Sequence, residues 1–284
     1  MNILVTGSNG QLGCELRKLE PEYKAYKFFF TDVNELDITI PEKVEKFVKM
    51  NKIDCVINCA AFTNVENAEN ERNAASLINT TAVKNIAEIC AKVDALLIHF
   101  STDYVFDGKN HKPYFEGDTA SPKNIYGKTK FEGEIEILFN AKRAIIIRTS
   151  WLYSSFGNNF VKTIIDKAQN NKLLDVIFDQ IGTPTYARDL AKTVLHIIPN
   201  TKPKMRTEIY NFSNEGVASW YDFAKAIVEI KKLNCNVVPV LTKDFPSNAS
   251  RPHFSVLNKS RIKKDFEITI PYWRDSLKEC LELM

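Results

Sequence analysis

The first 150 residues alternate short, continuous apolar runs with segments in which apolar residues recur every three or four positions. Continuous runs that are partly β-branched are typical of strands buried on both faces. The recurring pattern, as at Val83, Ile86, Ala87 and Cys90, predicts amphipathic helices between the strands. The predicted strands include residues 3–5, 28–30, 55–57, 96–98 and 144–147. This alternation predicts an α/β fold, with a doubly wound parallel sheet and helices on both of its faces.

Residues 151–284 differ in character, because glycine or proline interrupts most of their segments. Helical faces still recur, at Phe160, Ile164 and Ala168; Leu190, Val194 and Ile198; Phe223, Ile227 and Ile230; and Leu277, Cys280 and Leu281. We expect one domain over 1–150 and a smaller C-terminal lobe over 151–284, packed over the C-terminal edge of the sheet. The predicted helix near 184–199 could return to the first domain, so the boundary at 150 would not separate the two parts completely. Residues 202–206 are predicted to form a solvated loop.

Composition excludes several classes of protein. The 284 residues are 44% hydrophobic and 26% charged, as in ordinary soluble globular proteins. The net charge of +3 is small and spread along the chain, which argues against a dedicated nucleic-acid binder. No apolar run approaches the roughly 18 residues of a membrane span, and the N-terminus does not resemble a signal peptide, so we expect a cytoplasmic protein. The six cysteines and four histidines lack metal-site spacing and are interpreted as core or surface residues.

Three of the ten glycines fall within seven residues, in T-G-S-N-G-Q-L-G at 6–13, directly after the first predicted strand. Gly7 permits a tight turn, Gly10 lets the backbone approach a pyrophosphate, and Gly13 allows close packing of helix on strand. The following helix supplies free N–H groups and the positive end of its dipole. This context of strand, turn and helix predicts a dinucleotide-binding domain of the Rossmann type.

An acidic residue about 20 positions further on is the next expected feature of such a domain. Asp32 follows the second predicted strand and could accept hydrogen bonds from the adenosine ribose. A carboxylate there favours NAD over NADP, though not absolutely. A helix cap or a turn is the competing interpretation of Asp32. Asp37 and Ile38 are expected to flank the adenine.

Tyrosine can donate a proton to a carbonyl oxygen when a nearby ammonium lowers its pKa. Tyr126 and Lys130 are four residues apart, so a helix would place both side chains on one face. The pairs Tyr23/Lys27 and Tyr221/Lys225 share this spacing, but only Tyr126/Lys130 begins a predicted helix after the fourth strand. That strand leads to Thr102, at the edge where an open α/β sheet forms its ligand crevice. We therefore predict that Thr102, Tyr126 and Lys130 form a catalytic set for ketone reduction.

Six strings carry a more specific resemblance. They are S-T-D-Y-V-F at 101–106, Y-G-K-T-K at 126–130, R-T-S-W at 148–151, G-N-N-F at 157–160, D-Q-x-G-x-P-T at 179–185 and S-R-P at 250–252. In type and order, over essentially the whole chain, they resemble the dTDP-4-dehydrorhamnose reductase family of the extended short-chain dehydrogenase/reductase superfamily. The resemblance implies reduction of the 4-keto group of dTDP-4-dehydro-β-L-rhamnose with NADH or NADPH, the last step of dTDP-L-rhamnose synthesis.

The resemblance also implies roles for single residues. Tyr126 would donate the proton, Lys130 would tune it and hold the nicotinamide ribose, and Thr102 would assist at the carbonyl. The implied cofactor contacts are Gly10, Gln11 and Leu12 at the pyrophosphate, Asp32, Asp37 and Ile38 at the adenosine, and Ala61, Thr63 and Phe100 beside the nicotinamide. The implied substrate contacts are Asp103 and Trp151 at the deoxysugar, and Asn159 and Arg251 at the nucleotide or diphosphate. A surface ion pair is the competing interpretation of Arg251.

Some members of this family hold Mg²⁺ at a dimer interface through acidic side chains. Glu15 fits one such position, but Arg188 occupies the position that aligns with a second, although Asp189 is adjacent. The resemblance thus allows a homodimer, while Arg188 argues against a Mg²⁺ bridge in it.

Two other functions stay open from the sequence. A related nucleotide-sugar reductase, such as one forming dTDP-6-deoxy-L-talose, would share the hydride chemistry and differ in the face presented to the nicotinamide. A non-catalytic binding subunit, similar to the regulatory beta subunit of methionine adenosyltransferase, would act by binding a partner. The intact set of Thr102, Tyr126 and Lys130 argues against the second alternative.

Overall fold

Six parallel strands form one central sheet in the computed structural model, which describes residues 1–201, 206–245 and 247–284. From the N-terminus, the strands are β1 (Asn2–Thr6), β2 (Lys27–Phe30), β3 (Cys55–Asn58), β4 (Leu96–Thr102), β5 (Ala144–Thr149), β6 (Leu152–Tyr153), β7 (Leu173–Ile177), β8 (Ile181–Gly182), β9 (Thr185–Tyr186), β10 (Glu208–Asn211), β11 (Ala218–Ser219) and β12 (Asn236–Val240). The central sheet has the order β10-β5-β4-β3-β1-β2, which confirms the predicted parallel α/β fold.

Helices connect these strands. They are α1 (Gln11–Leu19), α2 (Pro41–Met50), α3 (Val65–Asn70), α4 (Arg72–Ser76), α5 (Ala82–Val93), α6 (Ile125–Asn140), α7 (Phe160–Asn170), α8 (Ala187–Asn200), α9 (Trp220–Ile230), α10 (Ser260–Phe266) and α11 (Trp273–Glu282). A π-helical turn over Leu77–Thr81 joins α4 to α5. Short 3₁₀ turns cover Glu20–Glu22, Asp103–Val105 and Thr242–Asp244.

The apolar residues of the central strands are buried on both faces, as their continuous runs predict. Ile3 and Val5 of β1 face a core that also contains the buried side of α8. Leu4 faces the opposite core, which contains the buried sides of α2 and α5. Strand order reverses between β1 and β3, and in open α/β sheets ligands bind beyond the carboxyl ends of the strands at such a point. The sheet therefore places a ligand crevice next to Gly7.

A smaller lobe packs at the carboxyl end of the sheet and contains α7, α9 and α11 with the short strand pairs β7/β12, β6/β9 and β8/β11. Its own core contains the buried rings of Tyr153, Tyr186 and Phe223. Ser219 and Asp222 form a reciprocal capping box that fixes the start of α9. Local hydrogen bonds thus set the start of α9. The lobe as a whole covers the crevice side of the sheet.

The chain crosses between the two lobes more than once, which a single boundary at residue 150 does not describe. As the sequence allowed, α8 returns to the sheet and packs on α1. In addition, β10 pairs with β5 as an edge strand, and Ile262 and Phe266 of α10 join the same core. β10 reads E-I-Y-N, without the continuous apolar run of a strand buried on both faces, so its sequence did not predict a strand.

The predicted loop over 202–206 lies outside the described residues except for Arg206. Among the helices that the structure describes, none combines the length and the apolar character that crossing a bilayer requires.

Candidate active site

A cavity of about 710 Å³ opens at the carboxyl ends of the central strands, between the sheet and the smaller lobe. Most of the predicted site residues line it together. They are Gly7, Gly10, Gln11, Leu12, Asp32, Asp37, Ile38, Ala61, Thr63, Phe100, Thr102, Asp103, Tyr126, Lys130, Trp151 and Asn159. Gly13, Glu15 and Arg251 are not among its lining residues. Residues as far apart in the sequence as Gly7 and Asn159 line one cavity only because the fold brings them together.

The glycine turn after β1 has the geometry that its sequence predicts. Gly7 has a φ of +61°, and a Cβ atom there would lie 2.6 Å from the backbone nitrogen of Ala60. A Cβ atom on Gly13 would lie 2.5 Å from the Cα atom of Ser8, so α1 packs directly against the turn. Gly10 caps α1 without a side-chain hydrogen bond, which leaves the first N–H groups of the helix free for an anion. These residues fit the pyrophosphate of a dinucleotide.

Asp32 lies beside this turn at the end of β2. Its carboxylate accepts hydrogen bonds from the backbone N–H groups of Asn9, at 2.9 Å, and Val33, at 2.8 Å. Asp32 therefore both orders a turn and lines the cavity, so the turn and the cofactor interpretations of this residue are compatible. Further along the wall, the Asp37 carboxylate accepts from the Thr39 backbone and hydroxyl, and these bonds lower its pKa.

The start of α6 positions the predicted catalytic set. Asn124 caps the helix by accepting a 2.7 Å hydrogen bond from the Gly127 N–H. A Cβ atom on Gly127 would lie 2.2 Å from the Tyr104 carbonyl oxygen, so α6 sits tightly on the turn that follows β4. Thr102 is the last residue of β4, and its hydroxyl donates to Asp103 at 3.0 Å. The close packing brings the first turn of α6, with Tyr126, to the end of β4.

The electrostatics of this set differ in one respect from the sequence-based expectation. Desolvation raises the pKa of Tyr126 to about 12, helped by the Asp103 carboxyl and opposed by a hydrogen bond with Thr102. Burial lowers the pKa of Lys130 to about 8, opposed by Glu134. Lys130 therefore does not lower the pKa of Tyr126. Its ammonium contacts His99 instead, at 3.2 Å. Tyr126 is accordingly protonated at neutral pH, as a proton donor must be.

Sequence reasoning missed two polar residues behind this set. His99 lies fully buried within β4, and Asn58 lies at the end of β3, 1% exposed. The signal was present, because both are polar residues within or directly after runs of apolar strand residues. Buried polar side chains are costly unless they are hydrogen-bonded, so their presence indicates a dedicated network.

Two tryptophans form the side of the cavity next to the smaller lobe. Trp151 has a φ of +46°, and its ring stacks on Trp220 with centroids 3.6 Å apart and planes 10° apart. Gly182 lies against the Trp151 ring, since a Cβ atom there would come within 2.7 Å of it. Trp220 was not predicted as a site residue, because it belongs to an amphipathic helix that reads as ordinary packing. Nearby, burial raises the pKa of the Asp103 carboxyl to about 7.

Asn159 and Arg251 are placed differently from the simplest expectation. Asn159 lines the cavity, but its side chain caps α7 through the Lys162 N–H and donates to Gln11 Oε1 at 3.0 Å. Arg251 lines a second cavity of about 320 Å³ and forms a 2.7 Å ion pair with Glu66. Arg251 therefore forms the surface ion pair considered from the sequence, and it also lines the second cavity.

Glu15 lies away from the main cavity. It is fully buried, accepts a 2.6 Å hydrogen bond from the Ser154 hydroxyl, and has a pKa raised by burial. Over the described parts of the chain, no group of three or more His, Cys, Asp or Glu side chains could hold a metal ion. With Arg188 among the charges acting on Glu15, the residues of one chain do not fit a Mg²⁺ site.

Comparison with known proteins gives one consistent family. Residues 1–284 match the family model described as the RmlD substrate binding domain. A dTDP-4-dehydrorhamnose reductase of Aggregatibacter actinomycetemcomitans is 39% identical over 284 residues, covering 97% of this chain and 97% of the relative. A crystal structure of a dTDP-4-dehydrorhamnose reductase from Clostridium acetobutylicum is 40% identical, with a TM-score of 0.94 over 100% of this chain and 99% of that one. The Bacillus anthracis dTDP-4-dehydrorhamnose reductase in complex with NADP is 36% identical, with the same TM-score and coverage.

Proposed function

Because the chain belongs to the RmlD substrate-binding-domain family, we propose that it is the NAD(P)H-dependent reductase that converts dTDP-4-dehydro-β-L-rhamnose to dTDP-β-L-rhamnose. This is the last step of dTDP-rhamnose synthesis. The observation that carries the proposal is the convergence of the glycine turn, Asp32, Thr102, Tyr126 and Lys130 on one cavity. A cavity that unites a dinucleotide cradle with a proton donor suits reduction of a ketone.

The chemistry divides between cofactor and chain. A reduced nicotinamide, when bound, supplies the hydride that adds to the 4-keto carbon. The Tyr126 hydroxyl donates its proton to the carbonyl oxygen, so the ketone becomes an alcohol and a phenolate is left on the enzyme. The Thr102 hydroxyl, which hydrogen-bonds Tyr126, steadies that oxygen, and Lys130 would hold the nicotinamide ribose.

The proposed cofactor contacts follow the cavity wall. Gly10, Gln11 and Leu12 would bind the pyrophosphate, Asp32, Asp37 and Ile38 the adenosine, and Ala61, Thr63 and Phe100 the nicotinamide side. NADPH is supported by the NADP complex of the Bacillus anthracis relative. NADH is supported by Asp32, whose carboxylate disfavours a 2′-phosphate at the ribose. We therefore propose that the enzyme accepts both cofactors.

The proposed substrate contacts lie toward the smaller lobe. Asp103 and Trp151 would contact the deoxysugar, and the Trp220 ring supports Trp151 by stacking. Trp220 Nε1 also donates to Gln180 at 3.2 Å, and Gln180 lines the second cavity with Arg251. A guanidinium suits phosphate oxygens, so the second cavity is proposed to take the nucleotide end of the substrate.

Two expectations about assembly stay proposals. We propose that the cofactor domain consists of 1–150 together with α8, β10 and α10, and that the remaining residues form the substrate lobe. We also propose a homodimer, which sedimentation analysis with and without Mg²⁺ would test. A sedimenting monomer under both conditions would contradict it.

The experiment that tests the function is a coupled assay. Upstream enzymes generate dTDP-4-dehydro-L-rhamnose, the protein is added with NADH or NADPH, and both the loss of absorbance and the product are followed. We expect dTDP-L-rhamnose, formed about 10²–10⁴ times more slowly by the Tyr126→Phe variant. Formation of dTDP-6-deoxy-L-talose would instead assign the related reductase activity. Cofactor binding without turnover would indicate a binding subunit.

A further inference from the structure

A row of buried polar side chains crosses the sheet behind the catalytic set. Thr6, Asn58 and His99 come from the adjacent strands β1, β3 and β4, and they are direct neighbours in the strand register. The Thr6 hydroxyl lies 2.7 Å from Asn58 Oδ1, and Asn58 Nδ2 lies 3.1 Å from His99 Nδ1. All three residues are at most 1% exposed. The row is therefore almost fully buried, with Asn58 at the wall of the main cavity, and its members hydrogen-bond one another.

Lys130 ends this row. Its Nζ lies 3.2 Å from His99 Nε2, and the residue is 2% exposed. Among the described residues, His99 is the one hydrogen-bond partner of the Lys130 side chain. A buried ammonium needs an acceptor, and His99 Nε2 is in position to be that acceptor.

The hydrogen-bond chemistry of the row allows two directions. If Lys130 is charged, it donates to Nε2, the ring carries its proton on Nδ1, and the Asn58 carbonyl oxygen must face the ring. If Lys130 is neutral, the ring donates from Nε2 and the Asn58 amide nitrogen faces Nδ1, which is the amide orientation described above. The two Asn58 orientations differ by a half-turn of the amide, and its oxygen and nitrogen are nearly identical in shape. The protonation state of Lys130 and the tautomer of His99 are thus coupled through Asn58.

We propose that His99 is a positioning residue for the reduction, whose Nε2 accepts from the Lys130 ammonium one turn after Tyr126 on α6. In this arrangement the Asn58 amide is turned by a half-turn, so that Oδ1 replaces Nδ2 opposite the ring and keeps the ring proton on Nδ1. The inference rests on the proposed function, because it assigns a task to Lys130 in that reaction. A carbonyl oxygen or a water could also accept from a lysine, but a neutral imidazole held by an amide fixes both the place and the direction of the bond.

The charges around Lys130 agree with this assignment. His99 faces it from β4, and burial together with the Lys130 charge keeps the His99 pKa well below its usual value, so the ring is neutral. From α6, Glu134 follows one turn later and Tyr126 precedes it by one turn. Glu134 is already bound by Arg148 of β5, at 2.6 Å and 2.9 Å. Asp103, beyond Tyr126, is turned to Thr102. The neutral His99 ring is therefore the partner that hydrogen-bonds Lys130.

The first test needs no substrate. The protein is labelled with ¹⁵N-histidine, and the His99 signals are assigned by replacing the three exposed histidines, His111, His196 and His253, with glutamine. Nitrogen shifts then report the tautomer. We expect Nδ1–H in the full-length protein at pH 7, and a change to Nε2–H in Lys130→Met. An Nε2–H tautomer or an imidazolium in the wild-type protein at pH 7 would overturn the proposal.

The second test uses two amides that divide the role of the ring. His99→Gln places an acceptor near the position of Nε2, and His99→Asn places its amide near Nδ1, toward Asn58. We expect kcat/KM to fall about tenfold in His99→Asn and to recover largely in His99→Gln. The high-pH limb of kcat/KM should move to lower pH by about one unit in His99→Asn, because a lost acceptor disfavours the ammonium.

An equal fall of kcat/KM in both variants, or an unchanged high-pH limb, would contradict the proposal and indicate that His99 only packs in the core. Thermal unfolding of each variant checks that the fold persists. If neither variant folds, the tautomer measurement on the wild-type protein still decides. Failure of the proposed reductase function would be recognised separately, because the wild-type protein would then show no turnover in the same assay.

Discussion

Arg148 and Glu134 form a two-point ion pair beneath the catalytic helix, with Arg148 Nε 2.9 Å and Nη2 2.6 Å from the two Glu134 oxygens. Their side chains are 3% and 0% exposed. The pair joins β5 to α6 one turn after Lys130. It therefore holds the helix that carries Tyr126 and Lys130 against the sheet.

Removing one partner of this pair should destabilise the fold. Glu134→Ala leaves the Arg148 guanidinium buried without its counter-charge, and we expect a loss of about 3–5 kcal/mol in the free energy of unfolding. Urea unfolding measures the loss. The matched control is Glu132→Ala, which breaks an exposed pair with Lys128 at 3.9 Å on the same helix and should cost under about 1 kcal/mol. Equal effects of both variants would contradict the structural role of the buried pair.

Tyr126→Phe should abolish proton donation while keeping the cavity. We expect kcat to fall by about 10²–10⁴, because the ring remains and only the acidic hydroxyl is lost. Steady-state kinetics with the purified ketosugar give kcat, and cofactor fluorescence checks that cofactor affinity is unchanged. Tyr221→Phe is the control, since Tyr221 belongs to the other helical Tyr/Lys pair, on α9 of the smaller lobe. Turnover in Tyr126→Phe close to that of the wild type would remove Tyr126 from the reaction.

Gly13→Ala should damage the cofactor cradle through sterics alone. The new methyl group would meet the Ser8 backbone at 2.5 Å, so the turn and α1 must separate. We expect cofactor affinity to fall at least about tenfold and stability to fall by about 1–3 kcal/mol. Isothermal titration and thermal unfolding measure the two losses. Gly117→Ala is the control, because a Cβ atom there meets nothing within 4 Å. Unchanged cofactor affinity in Gly13→Ala would show that the cradle tolerates the shift.

Asp103 should make stability depend on pH. Burial raises its pKa from 3.8 to about 7, so between these values the native state binds more protons than the unfolded state. The contribution of this group to the free energy of unfolding therefore falls as pH rises, by at most about 1.4 kcal/mol per unit. Asp103→Asn lacks this dependence, so its stability relative to the wild type should increase between pH 5 and pH 8. Urea unfolding at both values measures the difference, and a constant difference would contradict the assignment.

The alternation of continuous apolar runs with helical periodicity determined the parallel sheet, and the spacing of glycines after β1 determined the cradle. These signals are local, because backbone conformation and burial on both faces act over a few neighbouring residues. β10 escaped prediction since it is a short edge strand of mixed polarity. Its place in the sheet depends on pairing with β5, more than 60 residues earlier in the chain.

The choice of Tyr126 and Lys130 among three equally spaced pairs also came from the sequence, through their position after the fourth strand. The sequence could not reveal what those side chains contact. That Lys130 meets His99, that Asn159 is used as a helix cap, and that Trp220 stacks on Trp151 depend on distances across the sheet and between the lobes. Pattern fixes which face of an element is buried, whereas only tertiary packing decides which polar group each buried side chain meets, because that contact joins elements far apart in the chain.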